Sequence, residues 1–417
     1  MVTGSPSLDA ALAHRPGPTP HVCVNPVSPA LLGDDELGAW LHLLHSPGIG
    51  RESARRLLAR FGSPQAVLDA RAVDRAQVVD GNSAAALSTP PDGHAARLTA
   101  TLVWRSGASE STPARRVMVL GDADYPPLLL HTADPPLLLY LLGRADLLSA
   151  PSVAIVGSRL PSAQGLDNAR SFAHTLAEQG WTVVSGLAAG IDGAAHAGAL
   201  AVAERMDADQ DGSAGTASSA STIAVIGTGI DRTYPATHRT LARRIAAHGL
   251  IVSELCLGTP PLAPNFPQRN RLIAGLSRGT LVVEAALRSG SLITARMAAE
   301  AGREVMALPG SVLSPQSQGC HALIRQGAAL VDSATQVLEE LNSLPRLARA
   351  SPAAPAAAPA PTDPVLQALG HDPQSLDALI NRCGWPAPAL SAHLLTLELG
   401  GLVARLPGGF YQRRQGA

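Results

Sequence analysis

Four stretches in the middle of the chain bring glycine, hydroxyl side chains and arginine together, a combination suited to holding an anion rather than to breaking a bond. They are Val156-Gly157-Ser158-Arg159, Ser185-Gly186-Leu187-Ala188-Ala189-Gly190-Ile191-Asp192, Phe266-Pro267-Gln268-Arg269-Asn270-Arg271 and Arg288-Ser289-Gly290-Ser291. Glycine lets a ligand approach backbone amides, serine donates a hydrogen bond, and the planar guanidinium can grip two phosphate oxygens at once. In the third stretch Phe266 adds an aromatic ring just ahead of Arg269 and Arg271. A ring for stacking beside arginines for the backbone is how proteins hold a single nucleic-acid strand without reading its sequence.

Each stretch also has a plainer reading. Gly157 to Arg159 would serve as a tight turn with a solvated arginine, and Phe266 could belong to the core of a capped helix. Ser289 and Ser291 would suit a helix N-terminus with no ligand. Asp192 is by default a cap. His196 has no second histidine or carboxylate at metal-ligand spacing and reads as a satisfied structural histidine.

None of these loops supplies a nucleophile, a base and an orienting group. Ser158 and Ser185 have no histidine paired in sequence and sit in no Gly-x-Ser-x-Gly elbow, and the second loop lacks the Gly-x-Gly-x-x-Gly spacing of a dinucleotide site. The chain contains no lysine, so all 32 basic Lys+Arg positions are arginine. That excludes a phosphate-loop lysine, a Schiff base and a Ser-Lys dyad. One enzymatic alternative stays open, a nucleotide hydrolase in which the loops bind a phosphate and Glu284 acts as general base. The expectation is a non-enzyme without cofactor or metal.

The elements that would position these loops follow from the apolar pattern. Seven β-branched runs, Val153 to Val156, Trp181 to Val184, Ile223 to Ile226, Leu250 to Val252, Thr280 to Val283, Val305 to Leu308 and Ala329 to Val331, are mostly separated by helical patterns. That is the signature of an α/β fold with a mostly parallel, Rossmann-like sheet and crossover helices. In such a sheet ligands bind beyond the carboxyl ends of the strands, where the four loops would lie.

Around this core, residues 117–341, the chain divides further. Residues 1–30 read as a Pro-rich disordered tail without the pattern of a secretory signal, and residues 31–105 as a helical domain. Its Ser46-Pro47-Gly48-Ile49-Gly50 turn resembles a helix-hairpin-helix, or an ordinary packed helical hairpin. Residues 117–148 read as a connector, 204–221 as a disordered insertion within the core, and 342–362 as an Ala/Pro linker. Residues 363–413 suggest a helix, a helix and a β-hairpin in winged-helix order. The second of those helices carries no arginine, which disfavours sequence-specific reading of a major groove.

Composition sets outer bounds. Four scattered cysteines, Cys23, Cys256, Cys320 and Cys383, form no metal or redox spacing, and no apolar stretch is long enough for a membrane span. A cytoplasmic location is expected. The net charge of -1 hides a local excess: from Phe266 to Arg303 there are six arginines (269, 271, 278, 288, 296, 303) against Glu284 and Glu300.

The words Val153-Ala154-Ile155-Val156-Gly157-Ser158-Arg159, Ser185-Gly186 with Gly190-Ile191-Asp192 and His196, Phe266-Pro267 with Arg269-Asn270-Arg271, and Ser289-Gly290-Ser291-Leu292-Ile293-Thr294-Ala295 together resemble the DNA-processing DprA family, also called Smf. The resemblance covers about 117–341, and more loosely the helical front and the winged-helix tail. It implies a dimeric core that binds single-stranded DNA during natural transformation, protects it and loads the RecA recombinase, without being an enzyme. The DNA-binding residues it implies, with the loop readings, are Gly157, Ser158, Arg159, Ser185, Gly186, Phe266, Arg269, Asn270, Arg271, Ser289, Gly290 and Ser291. Arg159 would be the central phosphate grip and Phe266 the stacking ring. Where the family often carries basic residues, after a Tyr-Pro pair and before the Phe-Pro pair, this chain has Ala236 and Ala263, for which Arg232 or Arg239 would have to substitute.

Overall fold

The computed structural model describes residues 32–107, 112–209, 220–342, 363–369, 374–383, 385–406 and 409–413. The expected tail at 1–30 and most of the expected linker lie outside them.

The front of the chain is helical: α1 (Asp34–His45), α2 (Arg51–Phe61), α3 (Pro64–Asp69), α4 (Ala72–Arg75), α5 (Gly81–Ala86) and α6 (His94–Ser106). Spacing of three and four puts Leu37, Trp40 and Leu41 on one buried face of α1, and Ala54, Leu57 and Leu58 on that of α2. Between them Gly48 takes a φ of 78°, and a Cβ there would meet the Ser83 hydroxyl at 2.2 Å. This turn packs against its own domain at Gly48. The arginines that open α2 are occupied as well: Arg51 and Arg55 both bind the Asp134 carboxylate, at 2.8 and 2.5 Å.

The core runs β1 (Arg115–Val119), α7 (Pro127–Leu130), β2 (Leu138–Gly143), β3 (Ser152–Val156), α8 (Ala163–Glu178), β4 (Thr182–Ser185), α9 (Ile191–Asp209), β5 (Thr222–Val225), α10 (Arg239–His248), β6 (Leu250–Ser253), α11 (Asn265–Leu276), β7 (Gly279–Val282), α12 (Ser291–Glu300), β8 (Glu304–Ala307), α13 (Gln318–Arg325), β9 (Ala329–Leu330) and α14 (Ala334–Leu341). They build one sheet in the order β1-β2-β6-β5-β4-β3-β7-β8-β9. All seven expected runs are strands, and β3 to β9 pair in parallel.

Two expectations are corrected. The segment 117–148 is not merely a connector: β1 and β2 extend the sheet antiparallel, with Leu141 opposite Val252 of β6. The run Leu137 to Leu141 shows no alternation because it is buried throughout, so it carries no period to mark it as a strand. Residues 204–209, placed in the insertion, instead continue α9, held by Glu204 to Arg244 at 2.7 Å and Asp207 to His248 at 2.6 Å. Residues 210–219 lie outside the described set.

Side chains alternate across the parallel sheet. Ala154 and Val156 join the cluster shared with β2, β5 and the front helices, while Val153 and Ile155 join the opposite cluster with Phe172, Leu176 and Trp181. Strand order reverses at β3, with β4 on one side and β7 on the other. The crevice at the carboxyl end of β3 and β7 is therefore the topological switch point, where open α/β sheets bind ligands.

The C-terminal unit has its own core around Leu379, Leu390 and Leu394. It consists of α15 (Pro364–Leu369), β10 (Gln374–Ser375), α16 (Leu376–Cys383), α17 (Ala387–Leu399), β11 (Val403–Leu406) and β12 (Phe410–Arg413), with sheet order β10-β12-β11. This is the expected winged helix, with α15 and β10 added before it; part of its hairpin turn is outside the described residues. Among the described residues, no helix is long and apolar enough to cross a membrane, and no group of histidine, cysteine and acidic side chains could hold a metal.

Candidate functional site

The loops after β3 and β7 and the start of α11 enclose a cleft of about 510 Å³ at the switch point. Of the twelve contact residues expected from sequence, nine line it: Gly157, Ser158, Arg159, Phe266, Arg269, Asn270, Ser289, Gly290 and Ser291. Ser185, Gly186 and Arg271 do not.

The loops are pressed against one another. Ser158 donates its amide to the Glu284 carbonyl at 2.7 Å, and Ile191 donates its amide to the Ser158 carbonyl at 3.1 Å. A Cβ on Gly157 would meet Ile191 at 2.6 Å, and one on Gly190, whose φ is 81°, would meet the Ser158 carbonyl at 2.4 Å. These glycines therefore let loop approach loop rather than ligand approach amide. Gly290, at the head of α12, has open space where a Cβ would stand, and it is the glycine here that leaves room for a ligand.

Arg159 is exposed, with its guanidinium carbon 5.8 Å from the centre of the Phe266 ring. That ring is half-buried, not in the core, and Tyr234 lies against it at 5.3 Å between centroids. Gly227 makes this placement possible, because a Cβ there would meet the Phe266 ring at 3.0 Å. Across the cleft Ser289 and Ser291 hydroxyls share a hydrogen bond of 2.7 Å at the N-terminus of α12, a polar pair at the positive end of a helix. Arg288 and Thr294 line the same wall. Arg288 was overshadowed in sequence by its serine neighbours, although its place beside a helix start was the available signal.

Arg269 has a different role from the one expected. It is buried and donates to the carbonyls of Gly186, at 2.5 Å, and Val225. Burial lowers its pKa to about 10 against the opposing pull of Asp192, so it stays charged at neutral pH. Asp192 is also buried, and burial raises its pKa although Arg269 and the amides of Ala188 and Gly186 act the other way. The pair fixes the second loop to α11 and lends the cleft floor a buried guanidinium.

The three outliers have physical reasons. Gly186 exists for Arg269: a Cβ would meet its guanidinium at 2.2 Å. Ser185 is fully buried and donates its hydroxyl to the Ile155 carbonyl at 2.6 Å, within the sheet. Arg271 points away from the cleft to Glu254 and to Asp134, whose carbonyl it meets at 2.7 Å. There it joins Arg51 and Arg55 between the helical front and the core. Burial would raise the Asp134 pKa, but Arg271, Arg55 and Arg51 outweigh it and hold the carboxyl below its ordinary value. The linear cluster of six arginines divides among separate places: Arg269 and Arg288 reach the cleft, Arg271 faces Glu254 and Asp134, Arg278 lies over Trp181, Arg303 donates to the Leu128 carbonyl, and Arg296 is exposed on α12.

His196 is the structural histidine expected. It is completely buried; its Nε2 accepts the Leu187 amide at 3.2 Å and its Nδ1 lies 2.7 Å from the Thr222 hydroxyl, which itself donates to the Val183 carbonyl. Burial lowers its pKa to about 3. It thereby holds Leu187 at a φ of 58°, turning the loop that carries Ala188 into the cleft. Glu284 is used in the same way: its carboxylate accepts the Ser162 amide at 2.9 Å and the Ser162 hydroxyl at 2.5 Å, at the start of α8.

Comparison with known proteins gives a consistent result. The family model for DNA recombination-mediator protein A matches residues 116–342, with a DprA winged helix domain model at 349–409 and a DprA-like N-terminal HHH domain model at 34–77. Protein Smf of Escherichia coli K12 is 38% identical over 90% of this chain and 96% of its own. DNA processing protein DprA of Streptococcus pneumoniae is 47% identical over 52% of this chain and 72% of its own. The crystal structure of DprA from Streptococcus pneumoniae superposes with a TM-score of 0.59 at 35% identity, covering 74% of this chain and 98% of that one.

Proposed function

The chain belongs to the DNA recombination-mediator protein A family, and from that premise we propose that its switch-point cleft holds the backbone of single-stranded DNA. The observation that carries this reading is the exposed Arg159 guanidinium set over the half-buried Phe266 ring and opposite the Ser289–Ser291 helix start. A phosphate between Arg159 and the serines would leave the neighbouring base beside Phe266, which any base can use as a platform.

A binding role rather than a hydrolytic one is supported by Glu284, whose two carboxylate oxygens are both engaged by Ser162. Contact with Ser158 and Asn270 completes the phosphate side, whereas Arg269 acts beneath the surface, Ser185 and Gly186 hold the sheet and Arg269 in place behind the cleft, and Arg271 ties the core to the helical front. In this reading the protein shields incoming single strands in natural transformation, acts as a dimer and delivers the strand to the RecA recombinase in the cytoplasm.

Arg159→Ala should weaken binding of an oligothymidine about tenfold and reduce the slope of log affinity against log salt by about 0.7, the share of one phosphate contact on a single strand. Unchanged affinity and slope in a folded variant would remove Arg159 from the site.

A further inference from the structure

A second cleft, of about 640 Å³, adjoins the first on the far side of Tyr234. Its lining includes Arg115, Arg232, Arg239 and Arg243, with Asp231 as the lone acid, and Tyr234 at its rim. Asp231 accepts the Gly258 amide at 2.8 Å through one oxygen and keeps its charge, so the four arginines outweigh it rather than meet no acid.

The arginines divide by face. Arg239 and Arg243 stand four residues apart on α10, hence on one side of the helix, and both are exposed with no hydrogen bond or ion pair among the described residues. On another side of the same helix, Arg244 is tied to Glu204 by two bonds of 2.7 Å and His248 to Asp207 at 2.6 Å. The acids that α9 supplies thus engage one side of α10, Glu204 neutralising Arg244, and leave the cleft side positive. Arg232 is likewise exposed and unpaired among the described residues. At the far end Arg115 donates to the Trp104 carbonyl at 2.8 Å, and its buried Nε has no hydrogen-bond partner.

Tyr234 connects the two clefts. It is 47% exposed, unusual for so large a ring, and packs on Phe266, which lines the first cleft. Two adjacent rings, one on each side of the boundary, with unpaired guanidiniums beyond both, suit successive bases of one strand and the phosphates between them.

We propose that this cleft is the second segment of a single-strand track, binding DNA backbone phosphates through Arg232, Arg239 and Arg243, with Tyr234 as a base platform. The inference rests on the reading of the Arg159 cleft as a single-strand site.

The test compares oligothymidines of about 6 and about 20 nucleotides binding to the full chain, to Arg159→Ala, and to the triple variant Arg232→Ala, Arg239→Ala, Arg243→Ala. All three substituted arginines in the triple variant are on the surface, and its fold is checked by circular dichroism. The wild type should bind the long strand more tightly than the short one. The triple variant should lose roughly tenfold on the long strand, with the salt slope reduced by about 2, and bind the short strand as before. Loss of long-strand affinity below threefold, with Arg159→Ala still impaired, would overturn the second segment and leave the first site standing. If the wild type binds neither strand, both readings fall.

Discussion

Replacing His196 by Gln tests whether the second loop is held as the structure shows. At neutral pH the buried imidazole accepts the Leu187 amide and bonds the Thr222 hydroxyl, so the variant should lose about 1 to 3 kcal/mol of stability. The more specific signature is its pH dependence. In the unfolded chain His196 takes up a proton near its ordinary 6.5, whereas burial holds it unprotonated in the fold down to about 3. A folded pKa below the unfolded one gives stability that is full above pH 6.5 and drains as the pH falls toward 3. Between pH 7.5 and pH 5 the wild type should lose about 2 kcal/mol through this group alone. The Gln variant has no such term. Urea unfolding of both proteins at the two pH values therefore should show the gap between them narrowing by about 2 kcal/mol, other titrating groups cancelling in the comparison. A gap that stays constant would mean that His196 is protonated in the fold, and that the anchoring of Leu187 is wrong.

Gly186→Ala should destabilise the core by about 3 kcal/mol or more, because the new methyl displaces the Arg269 guanidinium from two carbonyls; thermal unfolding would reveal it, and a near-neutral result would contradict the placement of Arg269. Asp134→Asn should loosen the helical front from the core, since Arg51, Arg55 and Arg271 lose their shared carboxylate. Hydrogen exchange should then rise in α2 and around Asp134, by an amount equivalent to about 1 to 2 kcal/mol of local stability given the partial exposure of the pairs.

The parallel half of the fold was legible because β-branched runs alternated with helical spacing from Val153 to Val331. The antiparallel edge was not: Leu137 to Leu141 is buried on both faces, and uniform burial erases the period of two that marks a strand. At the site, Arg159, Phe266, Ser289 and Ser291 could be placed from sequence because a strand end and a helix start fix where a loop residue points. Arg269 and Arg271, two residues apart, could not be told apart in function. One is buried beneath the cleft floor and the other faces Glu254 and Asp134, a division set by the turn of α11 and by partners remote in sequence. Tertiary partners likewise scatter the six arginines that the sequence places close together. Conversely, Arg239 was legible in the sequence as a candidate substitute for the charge missing at Ala236 and Ala263, whereas Arg243 became visible only once the acids of α9 were seen to cover the other side of α10.

Photocrosslinking with a 5-iodouracil oligothymidine tests the central claim most directly. Because the chain has no lysine, trypsin cuts only after arginine, and Phe266 falls in the peptide spanning residues 245–269 while Tyr234 falls in 233–239. The account predicts that the principal adduct lies in residues 245–269, is competed away by unlabelled single strand and is reduced by Arg159→Ala. Adducts confined to the helical front or the winged helix, with none in the core, would contradict it.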